Sequence, residues 1–251
     1  MGSRCTLLRP GLVAYQDALA LQHRIADDVR AGGGDTLILL EHPPTYTLGV
    51  RGKQDHLLLS VDAFHARGVD VVRTDRGGDV TFHGPGQIVG YPIINLRARG
   101  MGPATYVRSI ERVIIDALAR TGIDAGRVDG RPGVWTRGAK IAAIGVRVAR
   151  GVTTHGFALN VSTDLSYFDH IIPCGITDAT VTSIQCVLGA APVMRDVEDA
   201  LASAFEVVFG VELFEESVVA SSSDRSEDLS LRRAAPSSAD TARFPEVAVG
   251  R

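Results

Sequence analysis

Cysteine is nearly absent from this chain. Three cysteines in 251 residues, with no CxxC pair, are too few and too odd a number for a disulfide scaffold, and they carry no zinc signature. Seven histidines are scattered without an HxH or HExxH pattern, so no metal site is expected. Long apolar runs are missing as well; none approaches the ~18 residues that a bilayer crossing requires, and no membrane association is expected. The N-terminus, MGSRCTLLRPG, lacks a long apolar core followed by a small-residue cleavage site. No signal peptide is read there, and the cytoplasm is the expected compartment. Net charge is only −3, so nothing advertises a nucleic-acid partner.

What is present is a globular balance of 45% hydrophobic and 22% charged residues, in a length that suits one ordinary domain. Apolar spacing of three and four predicts helices over residues 14–30, 105–120 and 196–209. Strands are expected at 36–40, 69–74, 87–96, 134–136, 140–149 and 153–161, with Arg150-Gly151 turning the last two and Pro92 marking an edge or a bulge. His42-Pro-Pro44 reads as extended loop. Helices and strands mix without regular βαβ alternation, which favours an α+β fold. From Ser221 to Asp240 seven of twenty residues are serine, and 221–251 carries five acids and five arginines. The body is expected to span 1–216 and a disordered Ser-rich tail 217–251.

Three segments carry chemistry. Arg76-Gly-Gly-Asp-Val-Thr-Phe-His-Gly-Pro-Gly-Gln87 packs four glycines and a proline into twelve residues. Its backbone N–H groups could approach a ligand closely. It is neither a dinucleotide fingerprint nor a Walker loop, because it runs into a strand and lacks a terminal Lys-Ser/Thr. A turn with incidental polar residues remains the alternative. Lys140 opens a strand whose residues of the same parity are Ala142, Ile144, Val146 and Val148, an apolar face. Buried there, an ammonium needs an anion; at a strand end it can instead snorkel to water. Cys174 lies between Pro173 and Gly175, in a turn that could present a thiol, which would need a cation or base to activate it. A structural turn cysteine is the plainer alternative. Cys5 is terminal, Cys186 reads as inert packing in the run 184–188, and His155 as a hydrogen-bonded strand histidine.

Together these stretches, with Lys140-Ile-Ala-Ala-Ile-Gly145, Thr154-His-Gly-Phe-Ala-Leu-Asn160, Phe168 through Ile176 and, more weakly, Glu41 through Gly49, resemble the lipoyl(octanoyl) transferase family. The resemblance spans roughly 5–215. It implies a single mixed-sheet domain like the catalytic domain of biotin and lipoate protein ligases. It implies octanoyl transfer from octanoyl-acyl carrier protein to a lysine of lipoyl domains, in 2-oxoacid dehydrogenase complexes and the glycine cleavage H protein, with no cofactor. By position, Cys174 matches the acyl-thioester nucleophile and Lys140 its activating lysine. Arg76, Gly77, Gly78, Asp79, Val80, Thr81, Phe82 and His83 match one substrate-binding segment. Ala143, Ile144 and Gly145 match a second, and Thr154, His155 and Gly156 a third. The rival readings are an ATP-dependent ligase on the same fold, a thiol hydrolase using Cys174 with His83 or His155, and a non-catalytic acyl-binding protein.

Overall fold

The computed structural model describes residues 3–172, 180–219 and 230–231. In chain order the elements are β1 (Ser3–Leu12), α1 (Tyr15–Arg30), β2 (Asp35–Glu41), β3 (Thr45–Leu48), α2 (Val61–His65), β4 (Asp70–Arg73), β5 (Val80–His83), β6 (Gln87–Ile93) and α3 (Pro103–Arg120). They continue with β7 (Gly126–Val128), β8 (Arg131–Thr136), β9 (Ala139–Ala149), β10 (Val152–Asn160), α4 (Ile184–Leu188), α5 (Met194–Phe209), β11 (Val211–Glu216), β12 (Val218–Val219) and β13 (Ser230–Leu231). Among these, no helix is long and apolar enough to cross a membrane.

Eight strands form one mixed sheet in the order β11-β1-β2-β6-β10-β9-β8-β7. β1 runs parallel to both β11 and β2, with α1 as the crossover, and the other pairings are antiparallel. A second sheet, β4-β3-β5, stands beside it. The α+β reading of a mixed sheet with surrounding helices therefore holds.

Period-2 alternation assigns the faces of the large sheet. Leu37, Leu39 and Ile88 turn to α3 and α5, where they meet Ile110, Ile114, Leu118, Leu201 and Phe205. Ile38, Leu40 and Val89 turn to α1, onto Leu21, Ile25 and Val29. Each such fully buried Leu or Ile contributes about 1.5–3 kcal/mol, so the central strands are stapled from both sides. The small sheet has its own core of Tyr46, Phe64, Val69, Val80 and Phe82.

Pro92 sits in a central strand rather than at an edge, and its effect is an interruption. β10 pairs with β6 only from Phe157 to Asn160. Beyond that, the Pro92 carbonyl accepts instead from the Thr153 and Tyr106 hydroxyls, at 2.7 and 3.2 Å. Nearby, His155 takes a left-handed φ of +57°. The predicted Arg150-Gly151 turn is present, with φ of +53° and +88°, the primed geometry that matches strand twist.

The strip expected to be tail is paired at one point: Val218–Val219 and Ser230–Leu231 form a two-residue antiparallel ladder. Residues 220–229 and 232–251 lie outside the described residues, as does 173–179, which includes Cys174.

Candidate active site

The three predicted binding segments converge. Gly145 of β9 lies directly across from Gly156 of β10. The loop before β5 closes over them: the Gly77 N–H donates to the Val146 carbonyl at 3.0 Å. A Cβ on Gly145 would stand 2.8 Å from the Gly77 carbonyl and 3.3 Å from Arg76 Cδ. On the other side of the loop, Gly49 N–H donates to the Asp79 carbonyl, Val50 N–H to Arg76 and Arg51 N–H to Gly78. A Cβ on Gly49 would meet the Gly78 carbonyl at 2.6 Å. These glycines let three backbones lie closer than any side chain permits.

Arg76, read from sequence as a binding residue, is turned inward and buried. Its Nε and Nη2 donate to Thr47 Oγ1 at 3.1 and 2.9 Å, and Nη2 also to the Thr47 and Asp79 carbonyls at 2.6 Å each. Asp79 accepts from the Val80 N–H at 2.8 Å and pairs with His56 Nδ1 at 2.7 Å. Val80 and Phe82 point into the small-sheet core, where Phe82 stacks on Tyr167 at 4.3 Å. Thr81 is half-buried opposite Thr47. Ala143 faces Ala158 and Ile144 faces Phe157, while Thr154 is buried opposite Arg147.

From Arg76 a buried relay runs across the molecule. Arginine can only donate, so the Thr47 hydroxyl accepts from it and passes its own proton to His83 Nε2 at 3.3 Å. His83 Nδ1 then donates to Gln87 Oε1 at 2.9 Å. Gln87 Nε2 donates to the Phe82 carbonyl at 3.1 Å and to Asn160 Oδ1 at 2.9 Å. Asn160 Nδ2 donates to the Thr182 carbonyl at 3.0 Å. The Phe82 and Thr182 carbonyls can only accept, so they orient the Gln87 and Asn160 amides, and a neutral His83 that donates from Nδ1 then accepts from Thr47 at Nε2. His83 spends both ring nitrogens in this relay; burial, then its neighbours His42 and Arg76, hold its pKa well below the usual histidine range. It is thereby a poor general base for a thiol hydrolase.

The relay ends beside Lys140. Thr180–Thr182 lie along Lys140 as a short parallel bridge: Lys140 N–H donates to the Thr180 carbonyl and Thr182 N–H to the Lys140 carbonyl, both at 2.9 Å. The Lys140 ammonium stands 5.0 Å from the centre of the Trp135 ring, within cation–π range. Strand parity put Lys140 on the core face, and a register shift in β9 changes that. Trp135 pairs with Lys140 while Val134 pairs with Ala142, so Ile141 is an extra, bulged residue. Ile141 and Ala142 both enter the α3/α5 core, and Lys140 stays half-buried, its stem beside the gap at Gly133.

Cys174 belongs to 173–179, outside the described residues, but both flanks of that segment are anchored. Ile172 N–H donates to the His56 carbonyl at 2.9 Å, and on the far side Val181 bridges Lys140. Cys5 is buried, and burial, aided by Asp35, pushes its thiol up to about 12, which makes it inert. Cys186, expected to pack, is exposed, because α4 turns Ile184 inward and Cys186 outward.

His155 is buried at the strained position in β10. Its N–H donates to Gln22 Oε1, and its Nε2 meets Asp75 Oδ1, each at 2.7 Å. Arg147 pairs with the other Asp75 oxygen. Burial lowers the His155 pKa, against the pull of Asp75. Among the described residues no group of His, Cys, Asp or Glu is arranged to hold a metal ion. Sequence reasoning passed over Thr47 and gave Asn160 no role; Asn160 ends β10 opposite Gln87 at the start of β6, a pairing that no pattern within either strand reveals.

Comparison with known proteins defines the class first. The model of the lipoyl protein ligase A/B catalytic domain matches residues 14–206, and the chain belongs to that family. Within it the chain falls among the octanoyltransferases. It is 50% identical over 206 residues to the octanoyltransferase of Chloroflexus aurantiacus, covering 80% of this chain and 92% of that one. It is 49% identical over 214 residues to the octanoyltransferase of Myxococcus xanthus, covering 82% of this chain but only 60% of that longer protein. In fold it is similar to a lipoate-protein ligase A bound with ATP, with a TM-score of 0.72 at 17% identity, covering 87% of this chain and 90% of that one. It is also similar to a bipartite lipoate protein ligase from Thermoplasma acidophilum, with a TM-score of 0.68 at 17% identity, covering 87% and 88%.

Proposed function

We propose that this chain transfers an octanoyl group from octanoyl-acyl carrier protein to a lysine of lipoyl domains through a thioester on Cys174. The acceptors would be the lipoyl domains of 2-oxoacid dehydrogenase complexes and the glycine cleavage H protein. The observation that carries this reading is the near-50% identity with octanoyltransferases along four-fifths of the chain. The attachment of Lys140 to Thr180–Thr182, immediately after the segment holding Cys174, supports the choice of dyad.

In this mechanism the resting pair is Cys174 thiolate and Lys140 ammonium. The thiolate attacks the carrier thioester carbonyl, and the C–S bond to the carrier breaks. The departing thiolate takes a proton from Lys140, leaving an octanoyl-Cys174 thioester and a neutral Lys140 amine. The neutral acceptor lysine then attacks that thioester. Lys140 takes its proton as the amide forms, and Cys174 leaves as thiolate, which restores the starting pair. Backbone donors at the oxyanion would each be worth ~3 kcal/mol. The N–H groups of Gly77 and Gly86 are committed to Val146 and Glu41, so donors must come from elsewhere in the site. An amide is more stable than a thioester, so no nucleotide is consumed.

Incubation with octanoyl carrier protein and a lipoyl domain, without nucleotide, should yield octanoylated domain by mass spectrometry. Modification that needs free octanoate and ATP would establish a ligase instead. Release of octanoate to water with an unmodified domain would establish a hydrolase.

A further inference from the structure

We propose that Asn160 is a positioning residue for Lys140, acting through Thr182, and that the Arg76–Thr47–His83–Gln87 relay exists to hold Asn160 in that role. This rests on the dyad reading of Lys140.

The bulge at Ile141 is the reason a clamp is needed. It costs β9 its regular pairing at the point where Lys140 leaves the sheet, between the Trp135 and Val134 pairs. Extra residues in a bulge leave the ladder locally disrupted. At this end β10 no longer covers Lys140, since the β9–β10 ladder stops at the Ala142–Leu159 pair. The backbone of Lys140 is held on that side by Thr180 and Thr182 instead. Those two residues belong to no strand, so their own position needs an anchor. Asn160, the next residue of β10, supplies it with its bond to the Thr182 carbonyl at 3.0 Å.

Asn160 in turn cannot rotate. Its Oδ1 is taken by Gln87 Nε2, Gln87 is oriented by His83 and the Phe82 carbonyl, and His83 by Thr47 under Arg76. Each member is buried: Thr47 is 0% exposed, Gln87 1%, and His83 and Asn160 5%. A fully satisfied buried network rigidifies its surroundings, and its cooperativity makes the far end sensitive to the near one. The glycine-rich loop is thus linked to the Lys140 backbone through this chain of hydrogen bonds. A displacement of about 1 Å in a reacting group can cost ~100-fold in rate.

The test compares wild type with Asn160→Ala and the isosteric Asn160→Asp, which keeps an acceptor for Gln87 but loses the donor to Thr182. Amide hydrogen exchange at Lys140 and Thr182 should quicken by about fivefold in both variants, the loss of one hydrogen bond, while α3 is unchanged. In the transfer assay kcat should fall by roughly 100-fold with KM for the lipoyl domain within about twofold. A purely structural role would lower the melting temperature and leave kcat of the folded enzyme intact. Unchanged exchange at Lys140 and Thr182 would overturn the inference, as would faster exchange with wild-type kcat while Lys140→Ala is inactive. If Lys140→Ala itself transfers at the wild-type rate, the dyad reading fails, and the exchange data still decide whether Asn160 positions residue 140. Should Asn160→Ala not fold, Asn160→Asp carries both measurements.

Discussion

Asp75 holds the ring of His155 by its Nε2 at 2.7 Å, and His155 keeps that contact from a left-handed backbone position inside a strand. His155 is one of three buried histidines kept neutral by the fold. Burial drops its pKa, pushes His42 down to about 4 and takes His83 well below the usual range. The unfolded chain binds protons on these rings near 6.5, the folded chain does not. Stability should therefore be full above about pH 6.5 and fall as pH drops towards 4. His42 alone should account for on the order of 3 kcal/mol across that window. Asp75 is linked in the same direction, over a lower range of pH. Burial opposes its charge, but His155 and Arg147 keep its pKa below normal, so its contribution is lost only at lower pH. Melting curves between pH 7.5 and pH 4.5 check this, and a flat profile would contradict neutral buried rings.

The loop glycines make a sharper structural prediction. Gly145→Ala and Gly49→Ala each drive a methyl against a backbone carbonyl, at 2.8 and 2.6 Å. Backbone cannot step aside as a flexible side chain can. Each should cost about 1–3 kcal/mol in urea unfolding and lower transfer activity. Gly34→Ala meets nothing within 4 Å and should be near neutral. Equal stability of all three variants would show that the close approach of these backbones is not what the glycines serve.

Much of this architecture is legible before any coordinates. α1, α3 and α5 are found within two residues of their ends because each buries one continuous face, and the β9–β10 hairpin because Arg150-Gly151 suits a primed turn. β1 and β11 escape notice. They lie at opposite ends of the described body yet pair with each other, and Arg9-Pro10-Gly11 breaks the pattern of β1. β5 hides inside a segment read as loop, since Val80-Thr-Phe-His83 is flanked by glycines and earns its pairing only from distant β3. Parity puts Lys140 on the wrong face, because the bulge at Ile141 cannot be seen in an alternating pattern. The relay is invisible because a buried Asn or Gln has no period; only its partners give it meaning.

Lys140 should activate the Cys174 thiol. An ammonium beside a thiolate favours the charged pair, commonly by 1–3 pKa units. Iodoacetamide labelling of Cys174 should thus be fast at neutral pH in wild type, and slow in Lys140→Ala until the pH is raised towards ~8.5 and beyond. Superimposable pH profiles would remove Lys140 from the dyad.

The most direct measurement of the central claim is the intact mass of the protein after brief exposure to octanoyl carrier protein without acceptor. Wild type should gain one octanoyl group, mapped to Cys174, labile to hydroxylamine and discharged by added lipoyl domain. Cys5→Ala and Cys186→Ala should behave as wild type, and Cys174→Ala should gain nothing and turn over nothing. Near-normal octanoyl transfer by Cys174→Ala, or an octanoyl group mapped to any other residue, would contradict covalent catalysis through this thiol.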